Sequence, residues 1–177
     1  MFNKFNELSN VVITNIDIKI DPIKLNNKTI REKINNEDYI GIEYWNVSDV
    51  TDMSNLFSKL NNFEEDIGNW DVSNVTNMSY MFEDCRVFDS NIGNWNVSNV
   101  TNMKNMFFRC NTFNQDIGTW NVSKVTNMSH MFGYSNFNQD IGNWDVSNVT
   151  DMSFMFIGHD SVFHNIGNWN VSNVTDM

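Results

Sequence analysis

Six tryptophans, Trp45, Trp70, Trp95, Trp120, Trp144 and Trp169, recur at intervals of 25, 25, 25, 24 and 25 residues. The text after each is nearly constant: Trp70-Asp-Val-Ser-Asn-Val-Thr-Asn-Met-Ser-Tyr-Met-Phe82 returns as Trp95-Asn-Val-Ser-Asn-Val-Thr-Asn-Met-Lys-Asn-Met-Phe107. A fixed period of this length marks a repeat architecture, in which one small unit cannot bury its apolar face alone and neighbours must cover it. It moves the functional expectation from a pocket enzyme toward an extended surface.

One unit is written in its apolar residues: Phe63, Ile67, Trp70, Val72, Val75, Met78, Met81 and Phe82. Ile67, Trp70 and Val72 follow the L-x-x-L-x-L spacing of leucine-rich repeats. Trp70 and Val72 alternate around Asp71, as in a short half-buried strand. Met78, Met81 and Phe82 then fall at i, i+3 and i+4, the spacing of one helical face, with Thr76 or Asn77 to cap it. The expected fold class is an α/β repeat solenoid: a leucine-rich-repeat-like, right-handed stack of short parallel strands and short helical turns. Its copies span 45–69, 70–94, 95–119, 120–143, 144–168 and a partial sixth, 169–177.

Residues 1–44 do not fit the repeat and read as an N-terminal α+β capping segment. Within it, Val11–Ile20 alternates as a strand, Thr29–Ile34 reads as a short helix capped by Thr29, and Tyr39–Trp45 leads into the first repeat strand. The sixth copy is partial and stops at Met177, so continuation of the array in a longer chain stays open. End-to-end self-association through that copy is one expectation.

Fixed positions along the array form ladders. Gly68, Gly93, Gly118, Gly142 and Gly167 precede each tryptophan by two, where a Cβ is expected to disturb a backbone conformation or a close approach. The residues expected to point outward beside the strand are almost uniform: Asn69, Asp71, Asn94, Asn96, Asn121, Asn143 and Asp145. Stacked Asn and Asp side chains that satisfy neighbouring loops are the expected role of such ladders. Asparagine interrupts every ladder, which argues against calcium held by carboxylates. Sequons such as Asn74-Val-Thr76, Asn96-Val-Ser98 and Asn148-Val-Thr150 come with the repeat text and read as structural.

The copies differ in the segments 58–62, 83–87, 108–112, 133–136 and 157–162. There Arg86, Arg109, Tyr134 and His159 are the candidate partner-binding residues. A uniform ladder suits a repetitive polysaccharide, whereas variable loops suit a specific protein surface. If neither binds, the array is a spacer.

The net charge of −11 is concentrated in the repeats, which carry five Lys/Arg against fifteen Asp/Glu. Such a surface repels phosphate backbones and anionic headgroups, so no nucleic-acid partner and no direct membrane insertion are expected. No run of 18 apolar residues occurs, and the first ten residues lack the apolar core of a secretory leader. Cys85 and Cys110 share one repeat position, and both a disulfide and two free core thiols stay open. His159 and His164 have loose spacing and no cysteine nearby, so no metal site is expected. No strained nucleophile turn, phosphate loop or paired acid–base signature is present, so neither enzymatic activity nor a cofactor is expected.

The string Trp-[Asn/Asp]-Val-Ser-x-Val-Thr-[Asn/Asp]-Met-[Ser/Lys]-x-Met-Phe, followed by Phe-Asn-Gln-Asp-Ile-Gly-x-Trp, resembles the BspA-like leucine-rich-repeat surface proteins. The likeness is closest to their 25–26-residue branch, as in mycoplasma lipoproteins and Listeria-type surface proteins, and covers residues 39–177. It implies a leucine-rich-repeat-type fold and a surface, adhesion or interaction role, with no catalytic activity and no binding residues to carry over. A cell-surface or secreted location follows from the resemblance alone; without a leader, intracellular and virion locations stay open. The reading is a non-enzymatic interaction or adhesion module, with a structural scaffold or spacer as the alternative.

Overall fold

The computed structural model describes residues 22–159 and 165–177. The expected strand at 11–20, and His164, lie outside them. Among the described residues the regular elements all precede residue 50: strand β1 (Lys24–Asn26), helix α1 (Asn27–Asn35), a 3-10 turn (Ile42–Tyr44) and strand β2 (Asn46–Asp49), with β1 and β2 parallel. Helix α1 begins earlier than the sequence suggests. Its cap is Asn26, whose side chain accepts from the Lys28 and Thr29 amides while the Thr29 hydroxyl accepts from the Asn26 N–H. This reciprocal pair satisfies donors that the first turn leaves orphaned.

Beyond β2 the described copies contain neither a strand nor a helix, only turns, bends and single-residue parallel bridges. That finding overturns the expected leucine-rich-repeat-like α/β solenoid of strands and helical turns. The bridges run Asp52–Asn77–Asn102–Asn127–Asp151–Asp176, one residue per copy.

The backbone of copy three shows the reason. The amides of Met103, Asn105, Phe107 and Arg109 donate to the carbonyls of Asn127, Ser129, Met131 and Gly133 in the next copy, each at 2.9 Å. The intervening amides of Met106, Phe108 and Cys110 donate within the copy, three residues back, to Met103, Asn105 and Phe107 at 3.1–3.2 Å. The Lys104 amide donates to its own copy's Asn102 Oδ1 at 3.0 Å. Every amide from 103 to 110 is thus placed, as a buried backbone requires.

Alternation of this kind is incompatible with a helix, where all amides bond within the segment. It depends on left-handed residues at two positions of each copy. Asn55, Tyr80, Asn105, His130 and Phe154 hold one, ten residues after the tryptophan; Lys59, Asp84, Arg109, Tyr134 and Gly158 hold the other, with φ between 53° and 76° throughout. For a residue with a Cβ, that conformation costs about 1–2 kcal/mol, offset here by the bonds it directs to the next copy. Met78, Met81 and Phe82 keep their common buried face, but on consecutive turns.

The Trp-x-Val segments turn as well. The Asp71 carboxylate accepts from the Ser73 amide, and the Val75 amide donates to the Val72 carbonyl. Side chains that bond their own backbone two residues on compete with a sheet ladder. Copy one makes the same turn, with Asn46 Oδ1 accepting from the Ser48 amide and the Val50 amide donating to the Val47 carbonyl, but β1 also lies beside it and the Asn46 amide donates to the Ile23 carbonyl at 2.9 Å.

The core runs the length of the described array. Phe57, Phe82, Phe107, Phe132 and Phe156 stack on one another at 5.4–5.9 Å between ring centres, and Phe63, Phe88, Phe113 and Phe137 form a second series at 5.8–6.0 Å. Each indole N–H from Trp70 to Trp169 donates to an isoleucine carbonyl earlier in the chain, Trp70 to Ile42 of the capping segment and the others to an earlier copy, as Trp95 does to Ile67. The glycine ladder is explained by close approach. A Cβ on Gly68, Gly93, Gly118 or Gly142 would stand 2.4–2.5 Å from a carbonyl oxygen of the following copy.

Helix α1 completes the first copy. Arg31 donates to the Ser54 and Asp52 carbonyls at 2.7 and 3.1 Å, the positions that elsewhere receive amides of a preceding copy. The Asn27 side-chain carbonyl accepts from the Thr51 and Asp52 amides, where other copies use a threonine main-chain carbonyl.

Candidate interaction surface

The uniform ladder is exposed, but many of its polar atoms are engaged. Asp71, Asn96, Asn121 and Asp145 each accept from the amide of the serine two residues on, at 3.1–3.2 Å. The Ser73 and Ser147 hydroxyls, followed by those serines' amides, hold Asp71 and Asp145 below the usual carboxylate range. Asn69, Asn94 and Asn143 are exposed beside them. The carboxamides of Asn74 and Asn148 donate to serine carbonyls of the preceding copy, so these sequon residues serve the backbone.

The acidic groove at Glu64, Asp66 and Asp89 is engaged in the same way. Asp66 accepts from the Gly68 amide and the Ser90 hydroxyl, and Asp89 from the Asn114 amide. Among the described residues no group of three or more His, Cys, Asp or Glu side chains is disposed to hold a metal ion.

Cys85 and Cys110 are free and buried. Their thiols donate to the carbonyls of Phe57 and Phe82, one copy back, at 2.9 and 2.8 Å. Burial pushes the Cys85 thiol up to about 12 and the Cys110 thiol well above its ordinary value. His159 holds the same repeat position. Its Nε2 lies 2.7 Å from the Phe132 carbonyl, an oxygen that can only accept, so that nitrogen carries the proton.

The turn face differs from copy to copy, and in copies three to five it becomes aromatic. Phe108 and Tyr134 meet edge to face at 5.6 Å and 90°. The Arg109 guanidinium sits 5.2 Å from the Phe108 ring centre and 5.9 Å from that of Tyr134. The His130 ring lies between Phe108 and Phe154, at 6.0 and 5.1 Å, and its Nδ1 is buried without a hydrogen-bond partner. Tyr134 is 47% exposed and Phe154 57%. Two glycines make room: a Cβ on Gly133 would meet Phe108 at 2.9 Å, and one on Gly158 would meet Tyr134 at 2.3 Å.

Of the four residues singled out in the sequence, Arg109 and Tyr134 come together here. Arg86 is exposed but engages Asp84 within its own loop at 3.0 Å, and His159 is committed to Phe132. Phe108, His130 and Phe154 escaped sequence reasoning. For His130 and Phe154 the available signal was asparagine at the equivalent positions 55 and 105, a residue tolerant of left-handed backbone, which marks that repeat position as a turn corner.

The fold and this surface define a repeat protein whose copies are joined through backbone turns and present a variable edge. Residues 26–136 and 115–177 match the family described as mycoplasma protein of unknown function, DUF285, and the chain belongs to that family. No curated protein and no solved structure matches the chain. Among the described residues no helix is long and apolar enough to cross a membrane.

Proposed function

We propose that the chain is a non-enzymatic interaction module that binds a protein partner through the turn face of copies three to five. The observation that carries this reading is a pair of half-exposed rings, Tyr134 beside the Arg109 guanidinium and Phe154 beside the His130 ring. Exposed aromatics with arginine are the composition of interface centres, and Phe108 and Tyr134 already pack on each other and under Arg109, which lowers the ordering cost of binding. The uniform ladder is the weaker candidate because many of its oxygens are engaged by its own backbone. Membership of the DUF285 family agrees with a surface repeat protein. The finer reading, a BspA-like surface or adhesion protein, adds that the partner is met outside the cell. The sameness of the ladder face favours a second role for the remaining copies, as a spacer that carries the patch.

The test is an array of immobilised extracellular proteins and polysaccharides probed with three forms of the chain. Tyr134→Ser with Phe154→Ser is expected to lose protein binding, while Asn96→Ala with Asn121→Ala keeps it. The reverse pattern, or binding to polysaccharide that only the ladder variant loses, sinks the proposal.

A further inference from the structure

Resting on that turn-face reading, we infer that the partner anchors through a single carboxylate beside an apolar side chain on a protein segment, seated on Arg109 at the corner between Phe108 and Tyr134. Arg109 is the reason for the carboxylate. Its guanidinium is held over two rings, and among the described residues no carboxylate forms an ion pair with it. A planar cation with fixed donors recognises a carboxylate by paired, charge-assisted hydrogen bonds.

The rings argue for a peptide over a sugar. A sugar stacks on one flat aromatic face, whereas Phe108 and Tyr134 meet at 90° with Arg109 over both, so an apolar side chain beside the carboxylate would lie against the half-exposed Tyr134 ring. Charge limits the partner to a single carboxylate. Asp84, the copy-two occupant of Arg109's ladder position, donates its amide to the Phe108 carbonyl and holds its carboxylate against Arg86, so the edge on the copy-two side of Arg109 is anionic. Within a Debye length of about 8–10 Å the patch attracts an anion, but a run of acidic residues would extend over an anionic surface and be repelled.

The experiment uses fluorescein-labelled nonapeptides on a Gly/Ser scaffold that carry one Leu-Glu or Phe-Glu pair, followed by anisotropy. Leu-Gln and Phe-Gln twins, a triple-Glu peptide and N-acetylneuraminic acid are the comparisons. The single-Glu peptides are expected to bind about tenfold more tightly than their Gln twins and more tightly than the triple-Glu peptide. Arg109→Asn, which suits the left-handed backbone at φ 58°, should erase the Glu-over-Gln preference, while Arg109→Lys keeps part of it. Equal binding of the twins, no binding by any peptide, a preference that survives Arg109→Asn, or tighter binding of the acidic sugar overturns the inference. If Tyr134→Ser with Phe154→Ser abolishes protein binding on the array but Arg109→Asn does not, the turn-face reading stands and the carboxylate falls.

Discussion

Gly118→Ala tests how closely the copies meet. The added Cβ would stand 2.5 Å from the Asp140 carbonyl oxygen of the next copy and 3.3 Å from Asp116 Oδ1, whereas ordinary contacts begin near 3.4 Å. The φ of Gly118 lies outside the left-handed region, so contact is the whole effect. Relief requires the two copies to part by about 1 Å. The neighbouring bond from the Trp144 indole to the Ile117 carbonyl, 3.1 Å long, would stretch with them. Overpacking costs about 1–3 kcal/mol, and a weakened hydrogen bond about 1 kcal/mol more, which gives a loss of about 2–4 kcal/mol. Gly167 supplies the control, since a Cβ there meets nothing within 4 Å. Gly167→Ala should be neutral or stabilise by about 0.4–1 kcal/mol through the unfolded chain. Urea unfolding followed by tryptophan fluorescence reads both. Equal effects of the two substitutions would refute the close-approach argument.

Three further outcomes follow from the same geometry. Arg31→Met, which keeps the apolar stem and removes the donors to Ser54 and Asp52, should cost about 1.5–3 kcal/mol in the same unfolding assay; no change would remove α1 as a cap. A thiol reagent at pH 8 should find no reactive cysteine in the native chain and two after denaturation, because both thiols are buried and stay protonated. Asp71 and Asp145 titrate below the unfolded carboxylate value of about 3.9, so their stabilising effect is present above that pH and is lost as pH falls through the folded values. Asp71→Asn with Asp145→Asn keeps the turn oxygens and should flatten the fall in Tm between pH 4 and pH 2; an unchanged profile would contradict the assignment.

The period and the core were legible in the text. Trp95, Val97, Val100, Met103, Met106 and Phe107 are all buried, as their recurrence requires. The local conformation was not. Met78, Met81 and Phe82 satisfy a helical face, but the same spacing serves two consecutive turns with Tyr80 left-handed between them. Periodicity of side chains does not report the sign of φ. Most of the aspartates and asparagines close turns in their own copy, as Asn102 does with the Lys104 amide, instead of bridging to neighbouring loops as stacked ladders suggest. Arg109 and Tyr134 were found because they break the repeat. Phe108 opens the variable segment 108–112, but nothing in the text shows that its ring meets Tyr134, and Phe154 lies outside the variable segments.

The surface proposal depends on exposed side chains standing on fully bonded backbone, and residue-resolved amide hydrogen exchange reads that directly. The Asn105, Arg109 and Tyr134 amides, which donate to Ser129, Gly133 and Ile157, should exchange as slowly as those of buried Met106 and Phe107. Fast exchange at Arg109 and Tyr134 beside a protected core would mean a mobile edge and contradict a preformed binding face.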